Sequence, residues 1–162
     1  MSAAEATRPG PAPPRRRVLA VASGGGHWVQ LRRILPAFAD LDVTYVTIKP
    51  SYRADVPGER VFIVRDATRW DRLGLVVLAF QMAWILIRVR PHLIVSTGAL
   101  PGLAAIVLGR LTGRRTIWLD SIANVDELSM SGRLARRYAD LWLTQWPHLA
   151  GPDGPEYAGR VF

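Results

Sequence analysis

The chain has 162 residues, of which 49% are hydrophobic, enough for one domain with a sizeable core. Twenty-one Lys and Arg stand against 13 Asp and Glu, and the formal charge of +8 favours anionic partners such as nucleic acid, phosphorylated ligands or an acidic membrane surface. The absence of Cys excludes disulfides, thiolate metal sites and a Cys nucleophile, three scattered His residues argue against a metal site, and there is no Walker A loop.

Residues 1–17 are rich in Pro, Ala and Arg, lack the apolar core of a secretory signal, and are expected to form a disordered basic tail. A Rossmann-like domain over 18–150 follows, opening with the strand Val18-Leu19-Ala20-Val21-Ala22. This strand ends in Ser23-Gly24-Gly25-Gly26-His27, a loop that lets the backbone turn sharply and aims the first N–H groups of the next helix at an anion. A plain tight turn that binds nothing is the other reading of the glycines, as a helix cap is of His27. Apolar spacing then predicts a helix from Trp28 to about Phe38, and the β-branched runs 43–48 and 61–64 predict two strands.

Residues 73–87 are apolar apart from Gln81 and are bracketed by Arg69, Arg72, Arg88 and Arg90. As a helix this run reaches roughly 22 Å, short of a hydrocarbon core of about 30 Å, so a crossover helix is expected rather than a span. Being apolar all round, it leaves an outer face that needs cover from a bilayer or a partner, and Trp84, Ile85 and Arg88 are the candidate membrane residues. Further strands are expected at 93–96, 116–119 and 141–144, with a helix over 103–111. Alternating strands and helices make the class α/β, a parallel sheet with helices on both faces. In such a sheet the ligand sits beyond the carboxyl ends of the strands, where Gly24 to Gly26, Ser96-Thr97-Gly98 and Asp120-Ser121 converge. A dinucleotide is disfavoured, because the loop lacks GxGxxG spacing and Lys49 stands where a ribose-binding carboxylate is needed; no basic-aromatic motif supports nucleic acid.

Six motifs follow in order: Ser23-Gly24-Gly25-Gly26-His27 with Gln30-Leu31, Ser96-Thr97-Gly98-Ala99, Leu119-Asp120-Ser121-Ile122-Ala123, Leu128-Ser129-Met130-Ser131-Gly132-Arg133, Tyr138-Ala139-Asp140 and Gln145-Trp146. Together they resemble the acceptor-side subunit of split GT-B glycosyltransferases. Similar proteins are the membrane-recruiting subunit of the dolichol-pathway UDP-GlcNAc transferase, bacterial PssD-type polysaccharide proteins and, more distantly, the N-terminal half of MurG. Where relatives carry Ile-Glu-Ser, this chain has Leu119-Asp120-Ser121, one methylene shorter in reach. Many eukaryotic relatives carry an N-terminal transmembrane helix that is not expected here, which leaves attachment to the 73–87 helix and the arginines.

The resemblance implies a glycosyltransferase subunit at the cytoplasmic face of a membrane, peripheral, holding a lipid-linked saccharide. A small donor-binding subunit supplies most of the UDP-sugar site, so the chain is expected to be inactive without it and to need no cofactor or metal of its own. His27 and Asp120 are the candidates for the catalytic base or its orienter. Ser23, Gly24, Gly25, Gly26, Ser96, Thr97, Gly98 and Ser121 are the candidates for acceptor binding. The tail 151–162, with Glu156, Tyr157 and Phe162, resembles the segment that docks on the partner. A non-catalytic membrane recruiter, and a free-standing nucleotide-binding module, are the alternatives.

Overall fold

The computed structural model describes residues 15–161, so most of the expected basic tail and all of Phe162 lie outside the described residues. Seven parallel strands form one sheet in the order β3-β2-β1-β4-β5-β6-β7. The strands are β1 (Arg17–Val21), β2 (Asp42–Thr47), β3 (Arg60–Ile63), β4 (Leu93–Ser96), β5 (Arg115–Leu119), β6 (Leu141–Thr144) and β7 (Glu156–Tyr157). The helices are α1 (Gly26–Ile34), α2 (Arg72–Val89), α3 (Ala99–Leu111) and α4 (Met130–Ala135).

Central strands of a parallel sheet are covered on both sides, which is why β1 reads as an unbroken apolar run. Its residues alternate between two cores. Val18 and Ala20 join Val43, Tyr45 and Val95 under Trp28 and Leu31 of α1 and the helical turn at Pro50–Asp55. Leu19 and Val21 join Val46, Ile94 and Trp118 under α2, α3 and Ala135 of α4. The Trp28 ring stacks on Tyr52 at 4.8 Å and meets Tyr45 edge-on, so that α1, the turn and β2 are clamped together.

The Asp71 carboxylate caps α2 by accepting from the Gly74 N–H at 2.7 Å, and the helix stops where Arg90 turns left-handed at φ 50°. Leu78, Met82, Ile85, Leu86 and Val89 face the sheet, whereas Leu73, Val76, Phe80, Trp84 and Ile87 form a second stripe that faces out. This corrects one expectation. Ile85 is 2% exposed and belongs to the core, while its neighbour Trp84 is 56% exposed, because adjacent helical residues point about 100° apart. Although α2 has the length and apolarity of a membrane-crossing helix, its inner stripe is committed to the sheet.

The expected boundary at residue 150 also moves. Glu156 and Tyr157 pair with β6 as a seventh strand, and the backbone of Val161 bonds to Gln145 and Arg33. Unpaired backbone at a sheet edge recruits the nearest extended segment, so residues 151–161 are part of the same domain.

Candidate functional site

Strand order reverses between β1 and β4, which send their helices to opposite faces of the sheet, and this switch point opens the crevice in which such sheets hold ligands. Gly25 precedes α1 at φ 57°, a conformation that glycine adopts without strain, and no side chain caps the helix. Its N–H donates to the Tyr52 hydroxyl at 2.8 Å. Gly25 and Gly26 are exposed, and Gly24 lies against Lys49 and Tyr52, each 3.5 Å from where its Cβ would be. The loop thus pairs an uncapped helix start with a lysine, an arrangement suited to phosphate.

His27 does not cap its own helix. Its Nδ1 meets the Thr97 carbonyl at 2.8 Å, and the Thr97 hydroxyl returns a bond to the His27 carbonyl at 2.7 Å, tying the loop after β1 to the loop after β4. Because a carbonyl oxygen only accepts, Nδ1 carries the proton and Nε2 is the lone-pair nitrogen of the neutral ring. Among the described residues Nε2 has no hydrogen-bond partner. Gly98, at φ 138°, leaves room for this ring, since a Cβ there would overlap Cε1 and Nδ1 of His27.

Asp120 behaves differently. It is 1% exposed and accepts from Ser129 N–H at 2.9 Å, Ser129 Oγ at 2.5 Å, Trp118 Nε1 at 3.3 Å and Asn124 Nδ2 at 3.4 Å. Ser129 in turn caps α4 by accepting from Gly132 N–H. The carboxylate therefore anchors the loop 121–129 rather than standing open at the crevice.

Three hydroxyls expected to contact a ligand are also turned inward. Ser96 accepts from the Gly98 N–H, Thr97 is spent on His27, and Ser121 accepts from Gln30 and the Ala123 N–H. The Ser23 carbonyl ties β1 to β2 through Thr47 Oγ1 and the Ile48 N–H. Trp84 and Arg88 are exposed farther along α2, and Glu156 and Tyr157 form the outer edge of the sheet.

Beneath the crevice lies a buried polar pair that the site residues read from the sequence do not include. Gln145 Nε2 donates to Gln30 Oε1 at 2.6 Å and to the Asp120 carbonyl, while Gln30 also bonds Gly26 O, Ser121 Oγ and the Ile122 N–H. The signal was the presence of Gln30 among the inward positions of an amphipathic helix, next to Trp28 and Leu31. Tyr52 carries no comparable signal, since its helical turn shows no period.

Residues 64–161 match the family described as oligosaccharide biosynthesis protein Alg14 like. The chain belongs to this family. The Alg14-like relative from Eremothecium gossypii, a UDP-N-acetylglucosamine transferase subunit, is 29% identical over 171 residues, covering 85% of this chain and 75% of its own. The mouse subunit of the same name is 32% identical over 106 residues, 57% of this chain and 48% of its own, and the human one is 26% identical over 179 residues, 89% and 82%. MurG from Acinetobacter baumannii superposes with a TM-score of 0.71 at 11% identity, over 88% of this chain and 45% of that one. A UDP-N-acetylglucosamine 2-epimerase from Rickettsia bellii gives 0.68 at 9%, over 91% and 45%. The Alg14-like chain thus has the Rossmann-like fold of one half of a GT-B protein and spans less than half the length of these solved structures.

Proposed function

We propose that this chain is the acceptor-binding, membrane-associating subunit of a two-subunit enzyme that moves a sugar from a UDP-sugar, UDP-N-acetylglucosamine by analogy with its relatives, to a lipid-linked saccharide. Family membership supports the class, and one observation carries the role: His27 is locked by Thr97 with Nε2 free at the switch-point crevice. In the transfer, an acceptor hydroxyl oxygen bonds to the anomeric carbon as the bond to UDP breaks, UDP leaves with the electron pair, and His27 Nε2 takes the hydroxyl proton. Asp120 acts as a positioning residue through the loop 121–129. The glycine loop and Lys49 receive the acceptor's pyrophosphate, and the partner supplies most of the nucleotide-sugar site. The outer stripe of α2 lies in the surface of the cytoplasmic leaflet, with Arg69, Arg72 and Arg88 at its ends among the headgroups.

The test is turnover of the complex purified with its partner at saturating UDP-sugar. His27→Ala is expected to lower it roughly 10²–10⁴-fold while the complex still forms on gel filtration. Rates near those of the parent would instead make the chain a membrane recruiter, a reading favoured by the inward-turned hydroxyls of Ser96, Thr97 and Ser121.

A further inference from the structure

At the amino edge of the sheet, on the side away from the crevice, an open pocket of about 590 Å³ is lined by Arg17, Arg60, Arg88 and Arg90. Arg17 and Arg60 begin β1 and β3, while Arg88 lies in the last turn of α2 and Arg90 ends it. Cations near a helix C-terminus offset its dipole, which accounts for Arg88 and Arg90 but not for the other two. None of the four is among the ion pairs of the described residues, which join Arg32 to Asp55, Arg65 to Asp71, Arg110 to Asp140 and Arg133 to Glu127. Asp42 is the single carboxylate in the lining and lies outside ion-pair distance of all four. The Arg17 guanidinium even donates through Nε to the Arg90 carbonyl at 3.0 Å, which draws two cationic segments together. Four like charges against one carboxylate that pairs with none of them mark a place for an anion, and the planar guanidinium fork fits phosphate oxygens two at a time.

The remaining lining says which anion. Trp84 and Ile87 border the same pocket and are the last members of the outward stripe of α2. The Trp84 ring packs edge-to-face with Phe62 at 5.7 Å, which holds the apolar side of the pocket beside the arginines. Tryptophan and arginine divide in this way between acyl chains and headgroups. We propose that the pocket binds the phosphate of an anionic membrane lipid, a second anion site at the opposite edge of the sheet from the crevice. The proposal rests on the reading that the α2 stripe lies in the bilayer surface.

The test is sedimentation of the full chain with vesicles of phosphatidylcholine alone, or with about 30 mol % phosphatidylglycerol. At about a fivefold gain in partition for each arginine near an anionic surface, Arg60→Gln with Arg88→Gln is expected to cost roughly 25-fold on anionic vesicles and little on neutral ones. Arg32→Gln with Arg53→Gln removes the same charge from the opposite face of the sheet and is expected to cost less than about twofold. Arg60→Lys with Arg88→Lys keeps the charge but loses the fork, and a loss of about tenfold is expected; binding at the parent level would reduce the pocket to diffuse attraction and overturn it. Inorganic phosphate titrated into lipid-free protein, followed by the arginine Nε–H resonances, gives the other arm: tight saturation that anionic vesicles do not displace would assign the site to a free anion. A parent chain that binds both vesicle types equally overturns the pocket but keeps the stripe, whereas one that binds neither overturns both.

Discussion

Gly98→Ala isolates the contact that orients His27. At φ 138° and ψ −177° the residue sits where almost only glycine goes, and an alanine there costs about 1–3 kcal/mol in backbone strain alone. The added Cβ also overlaps Cε1 and Nδ1 of His27, and forcing an extra carbon into a filled site costs about another 1–3 kcal/mol. The sum, about 2–6 kcal/mol, is a large share of the roughly 5–15 kcal/mol that holds a domain of this kind together. Urea unfolding of the purified chain measures it. Removing the ring should return the steric part, so Gly98→Ala with His27→Ala is expected to be less destabilised than the two single changes added together, by about 1–3 kcal/mol. A Gly98→Ala chain within about 0.5 kcal/mol of its parent, or single changes that simply add, would refute the packing of His27 against Gly98.

Phe80→Asp on the outer stripe of α2 should leave stability within about 0.5 kcal/mol and release the protein from vesicles, whereas Ile85→Asp, which buries a carboxylate, should cost more than about 4 kcal/mol in urea unfolding. Asp120→Asn keeps the shape but turns a donor toward Ser129 and Trp118; a loss of about 2–4 kcal/mol is expected, with hydrogen exchange quickened in α4 and the loop before it. Burial, reinforced by Glu59 and opposed by Arg32, raises the Tyr45 hydroxyl above the ordinary tyrosine value. The fold favours its neutral form, so this contribution is whole below about pH 10 and is lost as pH rises through the higher native value; Tyr45→Phe should flatten that alkaline loss in unfolding measured from about pH 9 to 11.

Most of the fold is legible because strands covered on both faces must be apolar throughout, and 93–96 and 141–144 coincide with β4 and β6. The glycine loop, Thr97 and Gly98 are legible as neighbours because topology sends the ends of β1 and β4 to one edge. The direction of individual side chains is not. Trp84 and Ile85 stand in a helix apolar on every side, so no period separates the outer stripe from the inner one. For Asp120 the residues leave two readings open, a base or orienter at the crevice and an acceptor for the N–H groups of the loop after it; the structure gives the second, through Ser129 and Asn124, because the path of that loop decides between them. The last strand, β7, is two residues long and is held by pairing with β6 rather than by any pattern of its own.

β1, an interior strand of the sheet, leaves the ribosome before the other six. β1 pairs with β2 on one side soon after synthesis, but its other neighbour, β4, begins only at Leu93, after the whole of α2 has been made. Through that interval the nascent chain carries an open, apolar strand edge and a helix with neither stripe yet covered, the kind of surface that aggregates or recruits a chaperone. A bilayer lying close to the site of synthesis would cover one stripe of α2 before the sheet exists to cover the other. The stripe proposed to lie on a membrane surface in the finished protein therefore also bears on where the chain can fold.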